Sequence, residues 1–235
     1  MMVKKLLLGL DGDGIIFNSL NQHFEHMKQV CYSLDVDFVF ALERFLWRNN
    51  KTSLEFGSLI EAYKYLLNTP GHYSHFYINL GVDYWGNESF INNTFKDFLN
   101  SDSIRVFDGI ALLISDLREQ GIKVCLFTSN YRDNVTKILD KNSIVLDYVV
   151  SSDDVKNPKP HPEGLNKCLD EFNVRPEQAV YVGDMILDAQ ASCAAGVDFI
   201  GVTYGYTGNG VLDNYPNIGV ADSVESLKKV LLRLF

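Results

Sequence analysis

The chain has 235 residues, of which 46% are hydrophobic and 22% are charged, and its formal net charge at pH 7 is -9. These proportions are typical of a globular protein that buries one core, or one core and a smaller satellite, and they exclude a fibre or a disordered tail. The negative charge argues against nucleic acid and against an anionic membrane as partners. An anionic ligand would therefore need a local source of positive charge.

The first apolar run, over Leu6–Leu10, is short. The core of a signal peptide needs about 7 to 15 apolar residues, and a helix that crosses a bilayer needs about 20. We therefore expect no membrane partner and a cytoplasmic location. The cysteines form no CxxC pair, and Cys125, Cys168 and Cys193 lie in apolar patterns that suit a buried, reduced thiol.

The first predicted element is a buried strand over Leu6–Leu10, which leads directly into the sequence DGDG. About 90 residues of different composition follow, and they are rich in aromatic residues and asparagine. Leu59, Tyr63 and Leu66 recur there at helical spacing. We interpret residues 18–104 as an inserted α-helical domain.

From Phe107 onward, apolar strands alternate with helical patterns. The predicted strands have the sequences KVCLF, DYVVS, AVYVGD and DFIGVTYG. Helices are predicted between them, for example over the apolar positions Ile110, Leu113, Ile114 and Leu117. Near-continuous apolar strands separated by helices indicate a parallel sheet covered on both faces. The predicted fold is therefore an α/β, Rossmann-like core over residues 1–17 and 105–235 with the helical domain inserted into it.

Ligands of open parallel sheets bind outside the carboxyl ends of the strands, so polar residues at those positions are the candidate site. The predicted strands lead into Asp11, Asp13, Thr128, Ser129, Asn130 and Asp184. Lys159 lies in the proline-rich loop NPKPHP, and Asp188 follows Asp184 by four residues. Several carboxylates, a hydroxyl group and one lysine are typical of magnesium-dependent phosphoryl transfer.

The order of these motifs resembles the haloacid dehalogenase superfamily, in particular its phosphoglycolate-phosphatase-like branch with a helical cap. The resemblance is carried by DGDG at the first strand, Thr128 at a second, KPHPEGL, and YVGDMILDAQASCAAGVDFIGVTYGY. It spans the whole chain, although the inserted segment matches only in size and place. It implies that residues 18–104 form a cap domain that closes over the site to exclude water and read the leaving group.

The resemblance also implies roles for the carboxylates. Asp11 would be the nucleophile that forms an aspartyl-phosphate, and Asp13 the general acid for the leaving alcohol and then the base that activates water. Mg²⁺ would bind between Asp11, the backbone carbonyl of Asp13, and Asp184. Asp188 belongs to the same acidic metal site, where it would support the ligands or pair with Lys159 rather than bind the ion directly.

Thr128 and Lys159 would hold the phosphoryl oxygens. The other expected substrate-binding residues are Gly12, Ser129, Asn130 and His23. His23 lies at the expected hinge into the cap, where similar sugar-phosphate phosphatases and mutases often carry histidine. Gly12 departs from the family pattern, which has a bulkier apolar residue, and we expect it to loosen the nucleophile loop.

The predicted function is Mg²⁺-dependent hydrolysis of a small phosphorylated metabolite by a monomer or a homodimer. Two alternatives stay open. A β-phosphoglucomutase-like enzyme would use the same aspartates but return the phosphoryl group to its sugar. A non-catalytic binding protein could have kept the fold. An EF-hand calcium loop is excluded, because Ile15 and Gln22 occupy positions where that loop needs oxygen ligands.

Overall fold

The computed structural model describes residues 4–69, 73–99, 104–208 and 210–235. The chain divides into two compact units. Unit 1 is Met1–Asn18 with Ile104–Phe235, and unit 2 is Ser19–Ser103. Unit 2 corresponds to the segment that the sequence marks as an insertion, of which residues 70–72 and 100–103 lie outside the described part. Its role as a cap stays a prediction.

The secondary structure of the described residues alternates strands and helices in unit 1 and is helical in unit 2. The strands are β1 (Leu7–Leu10), β2 (Phe17–Asn18), β3 (Arg105–Val106), β4 (Lys123–Phe127), β5 (Tyr148–Val150), β6 (Ala179–Gly183), β7 (Asp198–Val202) and β8 (Gly219–Ala221). The α-helices are α1 (Leu20–Ser33), α2 (Phe38–Arg48), α3 (Leu59–Leu67), α4 (Tyr73–Asn79), α5 (Tyr84–Leu99), α6 (Ile110–Glu119), α7 (Arg132–Lys141), α8 (Glu163–Phe172), α9 (Ile186–Ala195) and α10 (Val224–Leu231). None of these helices has the length and apolar character that a bilayer span requires.

The main sheet of unit 1 has the strand order β5-β4-β1-β6-β7-β8, and every neighbouring pair is parallel. This confirms the predicted α/β, Rossmann-like core. Strand β1 lies between β4 and β6, with Leu10 paired to both Leu126 and Val182. The carboxyl ends of these three strands therefore meet at one edge of the sheet, and the residues that follow them are brought together there.

Burial on both faces of the sheet explains the near-continuous apolar strands. All four residues of β1 and all five of β6 are buried. On one face, side chains of the central strands pack against α8 and α9 in a single cluster, which includes Leu7, Cys125, Phe127, Leu165, Cys168, Tyr181 and Ala189. This packing supports the strand ends that carry the candidate site.

Unit 2 is built from α1 to α5 around an aromatic interior. Phe24 of α1 packs edge-on against Phe38 of α2 and Tyr63 of α3, with ring centroids 5.5 and 5.3 Å apart. Edge-to-face packing is favourable between aromatic rings. Aromatic packing of this kind accounts for the aromatic-rich composition of this segment.

Three local features differ from the sequence expectations or were missed by them. Cys193 was expected to be buried, but it is exposed. The buried side of helix α9 includes the polar residues Asp188 and Ser192, so apolar spacing in its sequence does not show which side is buried. Strands β2 and β3 form a separate antiparallel pair, with Phe17 opposite Val106. Finally, β8 and α10 extend unit 1, and the serine at Ser223 that caps α10 was the available signal.

Candidate active site

The carboxyl edge of the sheet brings three aspartates and one lysine into contact. Asp11 follows β1, Asp184 follows β6, and Asp188 lies in the first turn of α9. One carboxylate oxygen from each of the three lies within 4.8 Å of the others, and all three side chains are buried. The Nζ atom of Lys159 lies 2.7 Å from Asp11 Oδ1 and 2.8 Å from Asp188 Oδ1.

The loop after β1 turns tightly behind Asp11. The carbonyl oxygen of Gly12 accepts hydrogen bonds from the amides of Ile16 and Phe17, at 2.9 and 2.8 Å. Gly14 has a φ of 85°, and a Cβ atom there would lie 2.0 Å from Asp184 Oδ2. Only glycine combines that backbone conformation with such a close approach. Gly14, the second glycine of DGDG, is therefore required for the loop to lie this close to Asp184.

The expectation that Gly12 loosens the loop is not supported by its surroundings. A Cβ atom on Gly12 would lie 2.8 Å from Thr128 Oγ1 and 3.0 Å from the Phe17 ring. The space that a larger residue would occupy is thus already filled by Thr128 and Phe17. The loop is closely packed because this position is glycine.

Lys159 is buried beside two aromatic rings. Its Nζ atom lies 4.9 Å from the ring centre of Phe127 and 5.5 Å from that of Tyr181. Burial alone would lower the pKa of Lys159, but the charges of Asp11 and Asp188 outweigh burial and hold the pKa above its ordinary value. Lys159 is therefore a permanent positive charge at the site.

The carboxylates of the site repel one another. Burial, with the charge of Asp188, raises the pKa of Asp11 to about 7 even though Lys159 acts against the shift. Burial, with the charges of Asp188 and Asp11, raises the pKa of Asp184 well above its usual range. One lysine does not compensate three buried carboxylates, so a bound cation would be stabilised here.

The hydrogen bonds of the three aspartates show which oxygens are available to a cation. Both oxygens of Asp188 are engaged, Oδ1 by Lys159 and Oδ2 by the amides of Asp184 and Met185, at 3.2 and 3.0 Å. Asp184 Oδ2 accepts from the amide of Tyr206, whereas Asp184 Oδ1 is buried and has no hydrogen-bond partner among the described residues. Such a buried, unsatisfied carboxylate oxygen fits a hard divalent cation.

The residues after β4 lie at the same edge. Thr128 is buried, and its Oγ1 accepts a hydrogen bond from the amide of Asn130 at 3.1 Å. The side chain of Asn130 is also buried and donates to Asp13 Oδ2 at 3.1 Å. Ser129, between them, is exposed. Asp13 is half-buried and is thereby connected to the end of β4.

His23 belongs to unit 2, where it lies in α1. Its ring is buried, and its Nδ1 atom lies 2.7 Å from the hydroxyl of Tyr63. Burial, with the neighbouring His26, lowers the pKa of His23 to about 3. The ring is therefore neutral near pH 7, and a substrate contact made by it would be a hydrogen bond rather than an ion pair.

Three residues that support the site were not selected from the sequence. The amide of Tyr206 binds Asp184. Gly205 allows that approach, since a Cβ atom there would lie 2.2 Å from Asp184 Oδ2. The hydroxyl of Tyr181 lies 3.2 Å from Asp188 Oδ1. The polar end of the strand sequence DFIGVTYG was the feature of the sequence that could have identified Tyr206 and Gly205 as residues near the site.

A comparison with models of protein families shows which family the chain belongs to. The family model described as haloacid dehalogenase-like hydrolase matches residues 10–202, most of the chain. The chain belongs to this family. The resemblance inferred from the motifs is thereby confirmed.

Curated relatives of this haloacid dehalogenase-like chain include a pyrophosphatase and phosphoglycolate phosphatases. It is 28% identical to a pyrophosphatase PpaX of Bacillus mycoides over 137 residues, which are 57% of this chain and 64% of the relative. It is 33% identical to a phosphoglycolate phosphatase of Salmonella choleraesuis over 129 residues, 54% of this chain and 51% of the relative. The match thus spans about half to two thirds of the length of these relatives.

Solved structures of the family share the fold over nearly the whole chain. A putative phosphoglycolate phosphatase from Lactobacillus plantarum superposes with a TM-score of 0.73 and 22% identity, covering 99% of this chain and 100% of that one. CbbY from Rhodobacter sphaeroides, in complex with phosphate, gives a TM-score of 0.67 and 21% identity, covering 93% and 94%. At these identities the likeness establishes the fold alone.

Proposed function

We propose that the protein is a Mg²⁺-dependent phosphatase that hydrolyses a small phosphomonoester through an aspartyl-phosphate on Asp11. The observation that carries the proposal is the buried contact of Lys159 with Asp11 and Asp188 beside the unsatisfied oxygen of Asp184. This arrangement supplies a nucleophile, a fixed positive charge and a cation site at one edge of the sheet. The names of the curated relatives support the same class of reaction.

The cation site consists of Asp11, the backbone carbonyl of Asp13, and Asp184. We assign Asp188 to the support of this site, because its two oxygens already accept from four donors: Lys159, Tyr181 and the amides of Asp184 and Met185. Asp11 accepts from only two of the described donors, both at Oδ1. When bound, Mg²⁺ would favour the ionised form of the carboxylates and offset the negative charge of the phosphoryl group. Carboxylate and carbonyl oxygens are the ligands that this hard cation prefers.

The attacking oxygen is Oδ2 of Asp11. Its other oxygen, Oδ1, accepts hydrogen bonds from Lys159 and from the amide of Gly12, both at 2.7 Å. Within the described residues these donors leave Oδ2 available. Attack by Oδ2 on phosphorus forms the aspartyl-phosphate as the bond to the leaving oxygen breaks.

Protons and phosphoryl oxygens are handled by neighbouring residues. Asp13 donates a proton to the leaving oxygen and later accepts one from the water that hydrolyses the aspartyl-phosphate. Thr128, Lys159 and the backbone amide of Ser129 hold the phosphoryl oxygens, because the amides of Gly12 and Asn130 already donate to Asp11 and Thr128. Lys159 needs no rearrangement for this, since its charge is already fixed at the nucleophile.

The substrate is a small phosphorylated metabolite of the phosphoglycolate or sugar-phosphate type. We assign selectivity among such esters to unit 2, the proposed cap, with His23 as one contact. In a neutral state His23 can donate or accept a hydrogen bond with a hydroxyl of the leaving group. Replacing His23 by Gln should then change the ratios of kcat/KM between different esters. It should have a smaller effect on the rate of phosphoenzyme hydrolysis.

A screen of phosphorylated metabolites with and without Mg²⁺ tests the proposed function. Asp11→Asn should abolish phosphate release and covalent labelling of the enzyme by phosphate. Asp116→Asn is the matched control, because Asp116 lies in α6 and pairs with Lys228 at the surface. Release of phosphate by Asp11→Asn at more than a few per cent of the normal rate would contradict the mechanism.

The product distribution separates the alternatives. A mutase would return the phosphoryl group to a sugar and yield an isomeric sugar phosphate in place of inorganic phosphate. A non-catalytic binding protein would bind phosphate esters without forming a phosphoenzyme. We expect inorganic phosphate and the free alcohol in equal amounts.

A further inference from the structure

The side chain of Asn130 contacts Asp13 from a rigid position. Asn130 is only 1% exposed, and its Nδ2 atom lies 3.1 Å from Asp13 Oδ2. Its backbone is held on both sides: the amide donates to Thr128 Oγ1, and the carbonyl accepts from the amide and the hydroxyl of Ser152 at 3.0 and 3.1 Å. The residue can therefore act as a fixed donor.

The orientation of the Asn130 amide follows from its other partners. Its Oδ1 atom accepts from the backbone amide of Tyr131 at 2.7 Å and lies 3.4 Å from Nδ2 of Asn134. The backbone amide of Tyr131 can only donate, so the atom that faces it must be the oxygen. A flipped amide would set its NH₂ group against this donor. The NH₂ group is thus directed to Asp13.

We propose that Asn130 is a positioning residue for proton transfer by Asp13, an inference that rests on the proposed phosphatase function. An amide N–H group can only donate, so it uses Oδ2 of Asp13 as an acceptor. The other oxygen, Oδ1, is then the one that carries the transferable proton. Asn130 in this way fixes both the rotamer of Asp13 and the oxygen that reacts.

The proton balance assigns each step to Oδ1. When Asp11 Oδ2 bonds to phosphorus, the bond between phosphorus and the leaving oxygen breaks, and the proton on Asp13 Oδ1 passes to that oxygen. In the second step a water oxygen bonds to phosphorus, the bond from phosphorus to Asp11 breaks, and a water proton returns to Asp13 Oδ1. The carboxylate of Asp11 and the acid form of Asp13 are both regenerated.

The leaving group distinguishes positioning of Asp13 from a merely structural role. A nitrophenolate leaves without protonation, whereas an alkoxide needs a proton as it leaves. A variant that misplaces Asp13 should therefore slow alkyl esters selectively. A general loosening of the loop after β4 would slow both kinds of ester, because both need the phosphoryl group to be held.

Two substitutions remove the contact in different ways. Asn130→Ala deletes the amide. Asn130→Ser keeps a short oxygen that can accept from Tyr131, as serine does in similar turns, but it is too short to reach Asp13. Asn142→Ala is the matched control, because the side chain of Asn142 donates to a nearby carbonyl, that of Ile138, at the end of α7. Thermal melts identify which variants are folded.

The measurement is alcohol release in a single turnover, with the Mg²⁺-loaded enzyme in excess over the ester. The two esters are 4-nitrophenyl phosphate and the alkyl phosphate that the wild-type enzyme turns over fastest in the screen. We expect both Asn130 variants to slow release from the alkyl ester by about 10- to 100-fold, part of the usual contribution of a general acid. Release of nitrophenol needs no proton transfer, so we expect each variant to slow it at least about 3-fold less than it slows release from the alkyl ester.

A double-mutant cycle provides the second readout. If Asn130 acts through Asp13, adding Asn130→Ala to Asp13→Ala should slow the alkyl ester no further. Equal slowing of both esters, or a further loss in the Asp13→Ala background, would overturn the inference while leaving the phosphatase function intact. A wild-type enzyme that releases no alcohol from either ester with Mg²⁺ would overturn the proposed function, and this inference with it.

Discussion

The two buried histidines of α1 should make unit 2 sensitive to acid. Burial, with His26 as a charged neighbour, lowers the pKa of His23 from 6.5 to about 3, and burial lowers the pKa of His26 to about 4. Their neutral forms are held in place by partners, His23 by the Tyr63 hydroxyl and His26 by Thr94 Oγ1 at 3.1 Å. Protonation of either ring would leave a buried positive charge.

The sign and size of the effect follow from proton linkage. Below pH 6.5 the unfolded state binds protons that the folded state does not, so the free energy of unfolding falls as the pH drops towards the folded pKa values. At pH 5, a shift from 6.5 to 3 or to 4 costs about 2 kcal/mol for each histidine. The opening free energy of unit 2 should therefore decrease by about 4 kcal/mol between pH 7.5 and pH 5.

Hydrogen exchange of peptides from α1, corrected for the intrinsic pH dependence of exchange, measures this opening free energy. His23→Gln and His26→Gln should each remove about 2 kcal/mol of the pH dependence, whatever they do to stability at pH 7.5. His75→Gln is the control, because His75 is an exposed histidine of the same unit. If the double variant kept the full pH dependence of the wild type, the reasoning from burial would be wrong.

Three further predictions concern unit 1. Gly12→Ala should destabilise the protein by about 1 to 3 kcal/mol in urea denaturation, because its Cβ atom would crowd Thr128; unchanged stability would mean that the loop can move. Lys159→Met should destabilise it by about 3 to 5 kcal/mol at pH 7, because two buried carboxylates lose their partner. That loss should shrink at pH 5, because this pH lies below the raised pKa of Asp11, about 7, and the Asp11 carboxyl can be protonated there; a pH-independent loss would contradict the ion pair. Mg²⁺ should raise the melting temperature of the wild type, and Asp184→Asn should remove that increase while Asp116→Asn keeps it.

The elements that carry the site could be predicted from the sequence because each gives a strong local signal. Strand β1 and strand β6 are apolar runs followed at once by aspartates, and parallel strands place such residues at one edge. The helix α8 after Pro162 shows a clear apolar spacing. Periodicity and strand ends are properties of short segments, so a single sequence contains them.

The contacts within the site could not be predicted, because they depend on packing between distant segments. The crowding at Gly12 comes from Thr128, which is 116 positions later in the chain. The contact between Asn130 and Asp13 joins residues 117 positions apart. Strands β2 and β3 have two residues each, too short for a periodic signal. The burial of Asn130 likewise depends on the loop that carries Ser152.

The charge balance at the sheet edge links the acidic composition of the chain to its proposed chemistry. A protein with a net charge of -9 repels phosphate esters at long range. Lys159 cannot by itself overcome this repulsion, because it forms ion pairs with both Asp11 and Asp188. A divalent cation at Asp11 and Asp184 would lower the repulsion among the carboxylates and attract the ester at the same time. The acidic cluster would oppose phosphate binding without a cation, and with a bound cation it would become the means of binding phosphate.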